Sequence, residues 1–444
     1  MLTHQDARGS IYSPLSAPGC IRLVNTDLAE CDDDPLICFL QEIDLIDGTG
    51  YRAFSALSYR WGDGTQPRTI TLNGTPVDVG QNLFDFLLHA RESGWTKHIW
   101  IDALSINQDD LSEKSEQVAK MGEIYSLASS VLIWLGNLDG DETFALKEIE
   151  DAIRMAGKEH IYNGLPDPQD GEEGFHLKIR QNNIRRLAAA YEDRGTYQHY
   201  TACLSQRAQR GLVRLLQNPY WSRKWIIQEA FLGGSNTSII ASVYDGFKLQ
   251  GPVRITTIAP VVEVFLTQVR MDHMKAFTNA RDRWCKAGGG FTEFRYPPPN
   301  LSKEETEMWG LRRLLGCRTD RPSSQFKTGI SEFWKTLSKA GGTYQSQSLM
   351  YLVDAYRDNL CADRSDHVYA LLGLSTLPTG RINVNYRAGI DEVFAAFSEA
   401  VENDMAGHDR ECIERALALT DWEIRRLRRL VPKPSPPPGP SSGG

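Results

Sequence analysis

The order of apolar and polar positions divides the chain into strands first and helices afterwards. Ile21–Asn25 and Ile37–Leu45 are short apolar runs flanked by turn residues and predict two strands. Phe54–Trp61, reading FSALSYRW, predicts a third that ends at Gly62-Asp63-Gly64, its small middle residues suited to a buried strand. Arg68–Val79 alternates around Asn73-Gly74, the strongest short hairpin signal. Leu83, Phe86, Leu87 and Ala90 recur at helical spacing after Asn82, which is positioned to cap, and Gly94 stops that helix. His98–Asp102 is an apolar run closed by a carboxylate, and Val131–Gly136 is another. Between them Val118, Met121, Tyr125 and Ala128 mark a helix over 110–130, with Asp110 and Glu113 resembling a capping box. The block reads strand–loop–helix–strand, a right-handed crossover if the strands are parallel. Asp102, Ser105, Asn107 and Gln108 then fall beyond a strand's carboxyl end, where open α/β sheets bind ligands.

After residue 137 the pattern turns helical. A helix near 141–156, a polar loop at 164–174 and an Arg-, Gln- and Ala-rich helical stretch at 178–217 read as an insertion or lid, with a solvated helical decoration as the plainer alternative. Asn218-Pro219 opens a turn, and from Ser222 the residues Trp225, Ile226, Glu229 and Ala230 follow a helical period. Strands are expected at 237–243 and 246–249. A helix over 252–283 packs through Ile258, Val262, Phe265 and Val269. Residues 285–300 read as a linker, followed by helices at 303–316, 331–339, 346–360, 390–403 and 411–431. Asp366–Leu374, DHVYALLGL, predicts a buried helix ending at Gly373. The expected fold is an α/β N-terminal domain followed by a mainly α-helical region. Its parts are a flexible arm at 1–19, a domain at 20–250 carrying the insertion at about 137–220, helices over 251–431, and a disordered Pro/Ser/Gly-rich tail at 432–444.

Composition narrows the function classes. The 444 residues are 41% hydrophobic and 24% charged with a net charge of −8, which disfavours a general nucleic-acid binder. No apolar run is long enough for a membrane span, and the first residues lack a secretory h-region, so a cytoplasmic protein with reduced thiols is expected. The eight cysteines form no CxxC, and the His199–Cys203 pair lacks two further ligands, so no metal is expected. Neither a P-loop, a dinucleotide fingerprint, HExxH nor a GxSxG elbow is present. The arginines of RRLRRL near the C-terminus could bind acidic lipid or nucleic acid, but a C-terminal helix turn favours cations anyway.

Several separated blocks, in order, resemble one family. Tyr12–Leu15 with Ile21–Leu23, then Ala56-Leu57-Ser58-Tyr59-Arg60-Trp61-Gly62, resemble the opening of a fungal heterokaryon-incompatibility (HET) domain. Trp100-Ile101-Asp102-Ala103 with Ile106-Asn107-Gln108 resembles its second block, continued by Gln117-Val118, Met121, Ile124-Tyr125 and Trp134-Leu135-Gly136. Arg223, Trp225, Gln228 and Glu229 resemble its third, and Asp366–Leu374 a "YALLGL" segment found downstream. The resemblance covers roughly 12–235 well and 345–400 weakly. One position departs: the family usually has Cys before Ile-Asn-Gln, where this chain has Ser105, so a required nucleophilic thiol would be missing and a need for a small side chain would be met.

The resemblance implies a TIR-like, flavodoxin-type sheet and a role in non-self recognition and programmed cell death. It further implies NAD cleavage, because NAD-cleaving TIR domains place a glutamate four residues after a tryptophan, as Glu229 follows Trp225. Glu229 would then be the catalytic carboxylate. Tyr59, Arg60, Trp61, Asp102, Asn107, Gln108 and Trp225 would bind the substrate, with no cofactor and no metal. The bland alternatives are an ion pair of Glu229 with Arg223, capping and loop hydrogen bonding for Asp102 and Asn107, and core packing for Trp225. A non-enzymatic scaffold assembling homotypically through the TIR-like domain stays open beside the enzyme. So does pairing with an allelic or non-allelic incompatibility protein.

Overall fold

In the computed structural model, described for residues 11–27, 35–45, 54–62, 65–95, 98–156, 204–243, 252–287, parts of 305–311, 329–340 and 344–401, the chain builds a nine-stranded mixed sheet. The strands are β1 (Cys20–Thr26), β2 (Ile37–Asp44), β3 (Ser55–Tyr59), β4 (Pro67–Leu72), β5 (Thr75–Gly80), β6 (Ile99–Trp100), β7 (Ser130–Leu138), β8 (Thr237–Val243) and β9 (Val253–Arg254). Their order is β5-β4-β2-β1-β6-β3-β7-β8-β9. At its centre β6, β3, β7 and β8 run parallel. Numbered among themselves, these run second, first, third, fourth. The expected β6–helix–β7 crossover is therefore real, but β3 lies between its two strands. The β4–β5 hairpin turns at Asn73-Gly74, whose φ values of 50° and 78° are the left-handed pair such a turn needs.

Alternate residues of the parallel strands bury opposite faces. Leu57, Tyr59, Leu132, Trp134 and Ile240 pack on one side against α1 (Gln81–Glu92), through the predicted Leu83, Phe86, Leu87 and Ala90. Asn82 is not that helix's cap. Gly80 holds the cap position, while the Asn82 amide donates to the Arg60 carbonyl (2.7 Å) and accepts the Trp134 indole (3.0 Å). A side chain committed to the tips of β3 and β7 is not free to cap.

On the other side Ala56, Trp100 and Val131 meet α3 (Leu111–Ala119) and α4 (Met121–Leu127), two helices where one was expected. The break falls at Lys120, and the stripe of Val118, Met121, Tyr125 and Ala128 is buried on both halves. Asp110 caps α3 as read, accepting from Ser112 and Glu113. Glu113 completes no capping box: it binds Arg22 (2.6 Å) and the Asn107 N–H (2.8 Å). The second half of the expected N-terminal arm is held too. Ile11 is buried, the Tyr12 hydroxyl donates to Leu104 O (3.1 Å), and Arg22 donates to Ser13 O (2.6 Å).

The remaining core joins both halves of the chain. Beyond β7 come α5 (Gly140–Ala156), α6 (Gln206–Leu216), a 3-10 turn at Pro219–Ser222 and α7 (Ile226–Gly233). Helices among the described downstream residues include α8 (Ile255–Lys286), α9 (Gly329–Ala340), α10 (Leu349–Ala355), α11 (Asp366–Tyr369) and α12 (Ile390–Ala400). Ile133, Leu135 and Ile239 of the sheet share one cluster with α6, α7 and these downstream helices. Ala208, Leu212, Leu215 and Leu216 of α6 are fully buried, so this described part of the insertion is core rather than solvated decoration. Ile258, Val262, Phe265 and Val269 are buried as read. Asp366–Leu374 is only a short α-helix followed by a 3-10 turn. The readings for 164–174, 246–249, 411–431, the tail and the His199–Cys203 pair lie outside the described residues. Among the described residues no helix is long and apolar enough to cross a membrane, and no group of side chains suits a metal ion.

Candidate functional site

The tip of β3, the start of α2 (Asp102–Ser105) and the loop leading into α7 converge where the strand order reverses, between β3 and β7. Helix α7 crosses behind β3 and turns Glu229 toward Ser58, a small strand residue that leaves room for it. Glu229 is 1% exposed, accepts a short hydrogen bond from Ser58 Oγ and lies 3.7 Å from Arg223 Nη1. Ser58 Oγ also meets the Tyr220 hydroxyl at 2.6 Å, and the Tyr125 hydroxyl donates to Leu57 O at 2.9 Å. Burial raises the Glu229 pKa to about 7 against the pull of Arg223 and Ser58, and nearby Asp102 adds to the rise.

Arg223 connects this inner carboxylate to the outside. It donates to the Tyr59 carbonyl and lines a cavity of about 360 Å³. Asp102, 9% exposed, lines the same cavity; its carboxylate accepts the Trp61 indole N–H (2.9 Å) and the Ala103 N–H (2.8 Å), and pairs with the Tyr59 hydroxyl. Burial raises the Asp102 pKa too, opposed first by Arg223. Trp61 is 44% exposed and stands between this cavity and two others. One, of about 330 Å³, is bordered by Arg60, Asn82, Trp134 and Tyr220. The other, of about 240 Å³, is bordered by Tyr12, Tyr59, Asn107 and Gln108.

The residues singled out in the sequence thus divide. Arg60, Trp61, Asp102, Gln108 and Trp225 line the 360 Å³ cavity. Gln108 also braces the loop, donating to the Asp102 carbonyl at 3.0 Å. Asn107 faces the 240 Å³ cavity, and its side chain accepts the Asp109 N–H at 3.3 Å. Glu229 lies one layer deeper, with Arg223 between it and the opening. Ser105 is buried, and its hydroxyl accepts the Ile101 N–H (3.1 Å), a place for a small side chain. Ser58, Tyr125 and Tyr220 are not marked as site residues by the sequence, since they lie in a strand, a helix and a turn with no local sign of a site. Arg223 is marked in the sequence as a member of the third block and as a possible partner for Glu229.

Chemically the arrangement offers two desolvated carboxylates, the guanidinium groups of Arg60 and Arg223 and an exposed indole around a small opening. That suits a polar ligand with a ring to stack and an anionic group to pair.

Comparison with known proteins agrees with the blocks named above. Residues 54–229 match the family described as heterokaryon incompatibility protein (HET). Over 240 residues the chain is 28% identical to heterokaryon incompatibility protein 6, OR allele, of Neurospora crassa. That stretch is 50% of this chain and 34% of the relative, so the chain spans about a third of the length of the protein it matches. No solved structure matches it. The matched span runs from the start of β3 to Glu229 itself, so this stretch of the chain resembles a HET domain.

Proposed function

We propose that the chain is an effector of fungal incompatibility, acting in non-self recognition and cell death by hydrolysing the nicotinamide–ribose bond of NAD. The observation that carries this reading is the Glu229–Arg223–Asp102 group, set at the carboxyl ends of parallel strands at a point of order reversal. The second–first–third–fourth order of those strands is also that of flavodoxin-type sheets, which supports a TIR-like reading of the domain. In the reaction the glycosidic C–N bond breaks and its electron pair leaves with nicotinamide. The ribose takes oxocarbenium character, and water adds at the same carbon and gives up a proton. A carboxylate beside the ribose stabilises that charge. Glu229 fills this role once Arg223 exchanges it for the ligand's pyrophosphate, and Asp102 and Trp61 hold the ribose and ring.

The test is release of free nicotinamide from NAD by the purified chain. Glu229→Gln is expected to lower turnover at least about a hundredfold, as loss of a charge-stabilising group does. Unchanged turnover removes Glu229 from the reaction.

A second reading rests on how completely Glu229 is enclosed: the Ser58–Glu229–Arg223 group is then an internal tie, and the domain signals by homotypic assembly. On that reading toxicity in fungal cells survives Glu229→Gln and is lost when surface helices are altered.

A further inference from the structure

The family match ends at Glu229, but the 360 Å³ cavity extends beyond it. Its far wall is Leu360, Cys361, Ala362, Asp363, Asp366 and Tyr386, all from the downstream region. Backbone hydrogen bonds fix that wall to the sheet domain. Lys224 N–H donates to Leu360 O (2.8 Å), Leu360 N–H donates to Ser222 O (2.6 Å), and Arg223 pairs with Leu360 in a parallel bridge. The Asn359 amide donates to the carbonyls of Trp221 (3.3 Å) and Arg223 (3.1 Å), and the buried Lys224 amine donates to Tyr356 O. The segment that positions Arg223 is thus the segment that closes the cavity.

Charge is segregated across the opening. The sheet-domain wall contributes Arg60, Lys114 and Arg223 beside Asp102, whereas the downstream wall contributes Asp363 and Asp366 without a base. Asp366 accepts the Tyr386 hydroxyl at 2.6 Å and pairs with the Trp225 indole. Burial lifts its pKa to about 6, Asp363 adds to the rise, and Lys114 opposes it. It is therefore largely ionised at neutral pH and stands between two aromatic rings that line the same cavity. Lys114 Nζ sits 4.3 Å from the Tyr386 ring centroid, so one face of that ring already holds a cation. Carboxylate and aromatic faces together favour a flat positive group.

The geometry points to Asp366 as a specificity residue that recognises the positive pyridinium ring of the ligand, with its phosphates directed toward Arg60 and Arg223. This rests on the dinucleotide reading of the site. The experiment is calorimetric titration of the full chain with two probes. One is the carbocyclic analogue of NAD, which keeps the pyridinium charge and lacks the cleavable bond; the other is NADH, whose ring is neutral. Wild type is expected to prefer the analogue. Asp366→Asn is expected to weaken the analogue about tenfold and NADH by less than about twofold, the size of a lost charged contact. Asp366→Glu is expected to keep the preference. Equal losses for both probes, or none, overturn the assignment.

A wild type that binds neither probe overturns the dinucleotide reading and the role of Asp366 with it. Wild-type binding with an unchanged preference in Asp366→Asn overturns the role of Asp366 alone. Asp363→Asn, at an exposed position of the same wall, covers the case in which Asp366→Asn fails to fold. It is expected to reduce the preference about threefold, the size of a weaker, solvent-facing charge contact, and an unchanged preference contradicts the proposal.

Discussion

Glu229 is held where its charge is expensive, and this has a consequence for stability as well as chemistry. Its pKa rises from 4.5 to about 7 on folding because burial outweighs Arg223 and Ser58. Between those values the folded chain binds more protons than the unfolded one, so stability falls as pH rises through that window. The loss is up to about 3 kcal/mol for this group alone. His367 works the other way: burial lowers its pKa to about 4, so stability grows with pH from there to its ordinary value. Comparing wild type with Glu229→Gln isolates the carboxylate. Denaturant titrations at pH 5 and pH 7.5 are expected to show a decline in the wild type that is flattened in the variant. Parallel pH dependences would mean that the carboxylate is not desolvated as described. Little of this was readable in the sequence. Ser58 and Tyr220 are 162 residues apart, and the Ser58–Glu229 pair is separated by 171, so the convergence exists only once the sheet has formed.

At the scale of elements, legibility followed the strictness of the pattern. The β4–β5 hairpin and α1 were readable because alternation and helical spacing were each unbroken and ended on glycine. The break at Lys120 was not, because α3 and α4 carry one continuous apolar stripe and periodicity does not register a change of axis. Helix α6 was read as part of an insertion from its charges, yet it packs tightly on α5. A Cβ at Gly211 would lie 1.9 Å from the Asp141 carbonyl oxygen and 2.9 Å from Ala145 Cβ. Gly211→Ala is therefore expected to destabilise the chain by about 3 kcal/mol, since the obstacle is backbone and cannot rotate away. Thermal or denaturant unfolding measures it, and a variant as stable as wild type would show that α5 and α6 do not approach as described. Met121→Ala, on the buried stripe of α4, is expected to cost about 2–5 kcal/mol by the same measurement.

Across the whole molecule, the α/β-then-helical order was visible as a switch of period after residue 137, but the sharing of one core was not. Phe231 of α7 stacks on Phe333 (5.3 Å) and Tyr344 (5.1 Å), joining the sheet domain to the downstream helices. A chain cut after residue 250 would expose Phe231, Ile227 and the sheet residues behind them. Such a truncation is expected to aggregate or unfold without cooperativity, as followed by light scattering and circular dichroism; a soluble, cooperatively melting fragment would contradict the shared core. The same packing puts Asp366 and Tyr386 across the cavity from Arg223, so the shape of the cavity depends on the integrity of the downstream half. A crystal structure of the chain with the carbocyclic NAD analogue bound tests the proposed site outright. The ligand is expected at the β3 tip, its pyrophosphate on Arg223, its pyridinium beside Asp366, and the Glu229 carboxylate released from Arg223 toward the ribose. A ligand bound elsewhere, with Arg223 still paired to Glu229, would contradict that placement.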